Sequence, residues 1–177
     1  MAGLARRVEI AEYDPKWAML YRNEKGKIEA AIGHVAVAVE HIGSTAVPSL
    51  GAKPVIDIMV AVRRLSDANK CVEPLRSIGY EYQPEHEDTM PERRFFRKGE
   101  PPREQHYHLH MVEEGSEFWK QHLAFRDYLR THPEKARQYH ELKEKLASEY
   151  GSDREGYTKA KTQFIESVVN EAMRRRE

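Results

Sequence analysis

A single carboxylate interrupts an apolar segment of the sequence, at Asp57 within PVIDIMVAV (residues 54–62). Side chains alternate along a strand, so Asp57 is expected on the same face as Met59, between apolar neighbours of the opposite face. An ionised carboxylate on a covered face is costly unless a cation or hydrogen-bond donors compensate it. Two interpretations stay open: Asp57 accepts hydrogen bonds from the backbone of the loop 43–51, or it holds Mg²⁺ or Mn²⁺ near a phosphate.

The loop before this segment carries groups that can bind an anion. In HIGST (residues 41–45), Gly43 and Ser44 directly follow an apolar segment. Backbone N–H groups of such a turn, together with a serine hydroxyl, can donate to phosphate oxygens. Lys53, just before the segment that holds Asp57, can add positive charge. We predict that Gly43, Ser44 and Lys53 contact the substrate; a plain β-turn and a solvated lysine remain the alternatives.

Three histidines recur at every second position of HYHLHMV (residues 106–112). In a strand this spacing puts His106, His108 and His110 on one face and apolar side chains on the other. Neutral imidazoles two residues apart can bind a transition-metal ion or transfer protons, although an exposed polar face would show the same pattern. We predict a metal site of Asp57, His108 and His110, holding Mg²⁺ or Mn²⁺, or Zn²⁺ if the histidines dominate. We assign the catalytic role to Asp57 and His110.

Basic residues of the C-terminal third give further candidates. Arg126 and Arg130 are four positions apart, so they lie on one side of a predicted helix. Lys159 and Lys161 come near the start of the last predicted helix. Most charges on such helices are solvated, but an anion in a neighbouring cleft could recruit some of them. We include Arg126 among the substrate-binding residues.

Length, charge and cysteine content limit the kind of protein. The chain of 177 residues has 29 basic and 29 acidic side chains, which argues against bulk binding to nucleic acid or to anionic membrane. It has no apolar stretch long enough for a membrane-spanning helix, and its N-terminal segment does not resemble a signal peptide. One cysteine, Cys71, suits a reducing compartment. We therefore expect a cytoplasmic protein.

The order of the predicted elements indicates an α+β fold. We expect residues 1–177 to form one domain, with an α/β core at 1–114 and a helical part at 115–177. The core should contain a mixed sheet of about four to six strands flanked by helices, and the helical part a three-helix segment. The predicted strands are residues 8–13, 34–42, 54–62 and the segments YEYQ, RRFFRK and HYHLHMV; helices are predicted from Asp14 onward and over 65–79.

Four segments, in this order, resemble those of the GrpB-like proteins: HIGSTAVPSLGAKPVIDI, HYHLHMV, FRDYLR and YTKAKTQF. The resemblance extends from about Val8 to Ala172. The family has Val-Pro-Gly-Leu in the first segment, where this chain has Ser49 in place of the glycine. GrpB-like proteins are assigned to the nucleotidyltransferase superfamily, and a related domain is fused to dephospho-CoA kinase in some bacteria. The resemblance implies a nucleotidyltransferase-like fold with the Gly43–Ser44 turn near nucleotide phosphates.

One position departs from the superfamily pattern, which is Gly-Ser, then Asp-x-Asp or Asp-x-Glu, then a third acid on a later strand. Asp57 matches the first acid, but Met59 occupies the second acid position and the later strand offers His108 and His110. A thioether cannot neutralise magnesium, and two-metal transfer needs several oxygen ligands. Three consequences stay open: catalysis with one metal, a different metal held by Asp57 and the histidines, or no transfer at all.

The function expected from residues and resemblance is a metal-dependent nucleotidyltransferase that acts on a nucleoside triphosphate and a small acceptor. The alternatives are a non-catalytic module that binds a nucleotide or a coenzyme A-like ligand, and a metal-dependent hydrolase centred on the histidines and Asp57. The expected partner is a nucleotide or another phosphorylated small molecule; neither a membrane nor a nucleic acid is expected.

Overall fold

A five-stranded mixed sheet forms the centre of the structure, a computed structural model that describes residues 7–99 and 105–176. The strand order is β1-β2-β5-β4-β3. Neighbouring strands are antiparallel except β2 and β5, which are parallel. The strands are β1 (Ala38–Ile42), β2 (Val55–Val62), β3 (Glu81–Tyr82), β4 (Arg93–Lys98) and β5 (His106–Glu113). The predicted α+β class and the mixed sheet are confirmed.

Helices cover both faces of this sheet. They are α1 (Lys16–Ile32), α2 (Val72–Ser77), α3 (Glu117–Thr131), α4 (Pro133–Tyr150) and α5 (Arg154–Arg174). The last three follow one another directly, as predicted for a C-terminal three-helix segment. The organisation of residues 1–177 as one domain stays a prediction. Within the described ranges, no helix combines the length and the apolar composition that a membrane crossing requires.

Side chains of β2 point alternately to the two faces of the sheet and contribute to an apolar layer on each. Ile56, Ile58 and Val60 are fully buried on the face that packs against α1 and α2. On the other face, Met59 is also fully buried, in a cluster with Phe118 of α3. Burial on both faces agrees with the interior position predicted for this strand, since β2 has hydrogen-bonded neighbours on both sides.

Three predicted elements differ from the structure. Residues 8–13 are not a strand; they contribute one isolated bridge, Ala11 to Ala52, because their partner is a loop. The segment 34–42 becomes a strand only at Ala38, since the amides of Val35 and Ala36 bond back to the carbonyl of Ile32 at the end of α1. The segment 65–79 splits into a 3₁₀ turn (Leu65–Lys70) and α2. This split places Pro74 in the first turn of α2, where its missing N–H leaves no helical bond unmade.

Candidate functional site

Asp57 and two histidines meet where β2 and β5 run side by side. The register pairs Asp57 with His108, and Met59 with His110, so all four side chains share one face. The Oδ1 atom of Asp57 lies 3.0 Å from Nε2 of His110 and 3.7 Å from Nδ1 of His108. The structure therefore brings together the predicted catalytic pair, whose members are 53 positions apart in the chain.

Arg93 of β4 fixes the tautomer of His110. Its Nη1 atom lies 3.0 Å from Nδ1 of His110. A guanidinium only donates hydrogen bonds, so Nδ1 accepts and Nε2 carries the proton that is donated to Asp57. His110 is thus a bridge between Arg93 and Asp57 that orients the carboxylate. Its predicted roles as proton acceptor and metal ligand stay predictions, because both ring nitrogens are engaged by protein partners in this arrangement.

The tautomer can be read by long-range ¹H–¹⁵N NMR. We expect Nδ1 of His110 unprotonated in the wild-type protein, because a hydrogen bond from a charged donor, worth about 1.5–3 kcal/mol, disfavours the other tautomer at least about tenfold. In Arg93→Leu that preference disappears and a mixture of tautomers results. Arg97→Leu is the matched control, since Arg97 lies on the same strand but reaches Glu81. A protonated Nδ1 in the wild-type protein contradicts the assignment.

Asp57 is an ionised carboxylate that solvent can reach. Burial by itself raises the pKa of Asp57, but the hydrogen bond that His110 donates, together with the positive charge of Lys53, outweighs burial, so the pKa is lowered. The side chain is 30% exposed. In the described part of the chain, His110 is its hydrogen-bond donor and no amide of the loop 43–51 donates to it. A purely structural carboxylate held by that loop is therefore not what the geometry shows.

His108 and His122, which also lie in this region, are neutral. Burial lowers the pKa of His108 to about 4, against the opposing attraction of Asp57. Burial likewise lowers the pKa of His122 on α3 to about 4. Nδ1 of His122 lies 2.8 Å from the carbonyl oxygen of Phe118 and donates to it, which leaves Nε2 unprotonated. Both imidazoles are therefore uncharged at neutral pH.

Gly43 brings the loop backbone onto the carboxylate. Its φ of +74° and ψ of −175° belong to a region that is essentially restricted to glycine. A Cβ atom at this position would lie 2.9 Å from Oδ2 of Asp57. The turn that was predicted to face the substrate is therefore in direct contact with the predicted catalytic acid.

Ser44 contacts a buried lysine that the sequence pattern did not single out. Nζ of Lys143, on α4, donates to Oγ of Ser44 at 3.0 Å and also to the carbonyl oxygen of Gly51. Lys143 is only 2% exposed. The available signal was its spacing: it lies four positions after Tyr139 and three before Leu146, which places it on the inward face of the helix.

Lys53 and Lys161 both lie close to the ring of Tyr157. Their Nζ atoms lie 5.3 Å and 4.4 Å, respectively, from the centroid of the Tyr157 ring. Lys161 was predicted only as a residue at the edge of a cleft, and the structure brings it near Lys53. Lys159, by contrast, is exposed and pairs with Glu155 at 2.7 Å. Of the two lysines considered on the last helix, Lys161 belongs to this region and Lys159 to the solvated face.

Arg126 is occupied by partners within the protein. It forms ion pairs with Glu40 of β1 and, at 2.8 Å, with the adjacent Asp127. It also donates to the carbonyl oxygen of His41 at 3.1 Å, which ties α3 to the end of β1. Two carboxylates already balance its charge, so its contribution to substrate binding stays a prediction.

Asp57 is the carboxylate that this site offers to a cation. Within residues 7–99 and 105–176, no group of three or more His, Cys, Asp or Glu side chains could hold a metal ion. Met59, at the second acid position, is fully buried among apolar side chains. Magnesium is commonly held by one or two carboxylates together with substrate phosphates. Asp57, with His108 beside it, could hold one cation that a phosphate ligand completes.

Comparison with known proteins agrees with the sequence resemblance. Residues 7–171 match the family model described as GrpB protein. The UPF0157 protein YqkA of Bacillus subtilis is 37% identical over 169 residues, which are 96% of this chain and 48% of that protein. The glutamate-rich protein GrpB of Alkalihalophilus pseudofirmus is 34% identical, covering 93% of this chain and 95% of that protein. This chain thus spans about half the length of YqkA.

A solved structure shares the fold. The crystal structure of the conserved protein GrpB from Enterococcus faecalis superposes with a TM-score of 0.83 and 34% sequence identity. The match covers 94% of this chain and 98% of that chain.

Proposed function

The chain belongs to the GrpB family, and from that membership together with the Asp57 site we propose that it binds a nucleoside triphosphate and transfers its nucleotidyl group to a small acceptor. One observation carries the proposal. An ionised, solvent-reachable carboxylate is held by His110 directly against the Gly43 turn, next to the serine and lysine expected at phosphates. A carboxylate repels phosphate oxygens, so this juxtaposition is favourable when a divalent cation lies between the two.

Each residue of the site has a defined part in such a reaction. Asp57 binds the cation, and His110 keeps the carboxylate oriented. Ser44 and Lys53 donate to phosphate oxygens of the ligand. The acceptor's oxygen or nitrogen attacks the α-phosphorus, pyrophosphate leaves as the new bond forms, and the acceptor's proton passes to solvent. A cation held by Asp57 would supply positive charge against the negative charge that accumulates on the phosphates.

A second candidate function is a binding module without turnover. Met59 favours it, because the ligand set of a two-metal transferase is incomplete at that position. A zinc hydrolase has weaker support, since both ring nitrogens of His110 have partners in the protein. The following experiment separates transfer from binding alone.

The test combines nucleotide binding with product analysis, using the four common nucleoside triphosphates with Mn²⁺ or Mg²⁺ and a panel of small hydroxyl and amine acceptors. We expect cation-dependent binding and pyrophosphate release in the wild-type protein. In Asp57→Asn, the affinity in the presence of the cation falls at least about tenfold, to the level measured with a chelator, because the hard ligand is lost. Asp88→Asn, which changes an exposed acid of another loop, leaves both readouts unchanged.

Two results go against this assignment. If Asp57→Asn binds and releases pyrophosphate like the wild-type protein, Asp57 is not the cation ligand. If nucleotide binding survives chelation and mass spectrometry finds no product with any acceptor, the chain is a binding module and not a transferase.

A further inference from the structure

Three lysines from three different elements gather without carboxylate partners. Lys53 precedes β2, Lys143 lies on α4 and Lys161 on α5. The exposed lysines next to them on the same helices do have partners: Lys145 pairs with Glu149 at 3.8 Å and Lys159 with Glu155 at 2.7 Å. In the part of the chain that the structure describes, no such ion pair within 4.0 Å involves the gathered three. The amines repel one another, and Asp57 attracts Lys53 and Lys161 only from beyond ion-pair distance, so a further anion is favoured here.

Lys143 is the least solvated of the three. Its Nζ donates to Oγ of Ser44 at 3.0 Å and to the carbonyl oxygen of Gly51, and it lies 4.8 Å from the centroid of the Tyr139 ring. All of these partners are uncharged, so a buried cation lacks the counter-charge that normally accompanies it. Burial, and then the charges of Lys161 and Lys53, lower the pKa of Lys143 to about 7.

Tyr157 supplies an unused donor at the same place. The residue is fully buried, and its hydroxyl has no hydrogen-bond partner among the described residues. Burial raises its pKa to about 12, so the hydroxyl keeps its proton. The centroid of its ring lies 5.3 Å from the amine of Lys53 and 4.4 Å from that of Lys161. A buried O–H without a partner, on a ring that lies close to the amines of Lys53 and Lys161, is a further observation that points to a bound anion.

We propose that Lys53, Lys143 and Lys161 form one subsite for the polyphosphate group of the ligand, and that Lys143 takes up a proton when the anion binds. Ser44 and the Tyr157 hydroxyl complete the set of donors. The inference rests on the proposed function for the identity of the ligand as a nucleoside triphosphate, and it adds two residues of the C-terminal helices to the site.

The direction of the proton coupling follows from the charges around Lys143. Without ligand, above pH 7, Lys143 is mostly neutral, since Lys53 and Lys161 face it and the phenols of Tyr139 and Tyr157 bring no negative charge. A bound anion favours the ammonium form, so binding draws a proton from solvent. The affinity therefore falls as the pH rises above 7, by up to about tenfold per pH unit for one proton.

Lys161 also contributes to the pH dependence. Burial, and then the charge of Lys53, lower its pKa to about 8, while Asp57 opposes this by attraction. Lys161 therefore adds a smaller uptake of protons above pH 8. Lys161 is only partly buried, so it can be replaced without a large change in the protein core. Its replacement therefore distinguishes the proton uptake of Lys161 from that of Lys143.

Isothermal titration calorimetry with ATP and with inorganic tripolyphosphate, at pH 8 in two buffers of different ionisation enthalpy, tests the proposal. We expect ATP binding to the wild-type protein to take up about one proton. In Lys143→Met most of this uptake disappears and the affinity falls about tenfold or more, as expected for the loss of a charged donor to phosphate. Lys145→Met, on the same helix but exposed and paired with Glu149, behaves like the wild-type protein.

The affinities and the proton uptake of the variants show whether the lysines form a phosphate subsite. Equal affinities of Lys143→Met and Lys145→Met, or ATP binding without proton uptake, overturn the proposal. If Lys143→Met does not fold, Lys161→Met takes its place: an affinity about tenfold lower supports the subsite, and an unchanged affinity overturns it. Tripolyphosphate binding that depends on Lys143, in a protein that transfers no nucleotide, keeps the subsite and rejects only the proposed function. Binding of neither compound to the wild-type protein rejects the subsite.

Discussion

We expect the Lys143→Met variant to be more stable against unfolding than the wild-type protein at pH 6. At this pH the wild-type folded state holds a buried ammonium group, whose pKa is about 7 instead of the ordinary 10.5. Each pKa unit corresponds to about 1.4 kcal/mol, so the buried charge destabilises the fold by about 4–5 kcal/mol. Methionine removes this cost but leaves the Gly51 carbonyl without its donor, which costs about 1–3 kcal/mol. The net expected stabilisation is about 2–4 kcal/mol.

The pH dependence of this difference follows from linkage. Between pH 7 and 10.5 the unfolded chain keeps the proton of Lys143 while the folded chain has released it, so wild-type stability from this group rises with pH in that window. Below pH 7 both states are protonated and the full cost remains. The advantage of methionine is therefore largest at pH 6 and shrinks at pH 9. Urea unfolding of the wild-type, Lys143→Met and Lys145→Met proteins at both pH values measures this; a variant that is less stable at pH 6 contradicts the account.

Gly43→Ala has the opposite effect and also disables the site. The left-handed φ with an extended ψ costs a non-glycine residue about 1–3 kcal/mol. The new Cβ would in addition meet Oδ2 of Asp57 at 2.9 Å, closer than real Cβ contacts come, so the carboxylate or the turn has to move. We expect a loss of about 2–4 kcal/mol in the free energy of unfolding. Either movement disturbs the contact between the turn and Asp57, so cation-dependent nucleotide binding should be lost as well.

Gly115→Ala tests the backbone strain of a positive φ without a contact between the new Cβ atom and a neighbouring side chain. Gly115 has nearly the same φ, +73°, but a Cβ atom there meets nothing within 4 Å. This variant should lose only about 1 kcal/mol and keep nucleotide binding. Chemical unfolding and calorimetry on both variants make the comparison. Equal losses of stability, with binding intact in Gly43→Ala, mean that the contact with Asp57 is unimportant.

Strand periodicity was enough to predict the composition of one face of the site. Alternation at every second residue put the histidines of β5 on one side, and it isolated Asp57 among apolar residues of β2. That the two strands are parallel neighbours was not readable from either segment, because strand order depends on packing between elements far apart in the chain. The distance from Asp57 to His110 followed only from the register.

Charged residues were the weak point of the sequence-based prediction. Arg126 and Lys143 both lie on helices, where most charges are solvated; spacing places Lys143 on an inward face, but sequence alone does not show what either residue packs against. Of the two carboxylates that pair with Arg126, Glu40 lies 86 positions earlier in the chain. Lys143 is buried because α4 packs against the loop that contains Ser44 and Gly51. Arg93 and its effect on His110 likewise depend on the pairing of β4 with β5.

The burial of Met59 has a consequence for any attempt to build a second metal ligand into this site. An aspartate at this position would place a charge among Ile42, Val112 and Phe118, and its loss of hydration would be costly. Met59→Asp alone is therefore expected to weaken the fold strongly, and neighbouring side chains would have to become polar before a second carboxylate could be accommodated there.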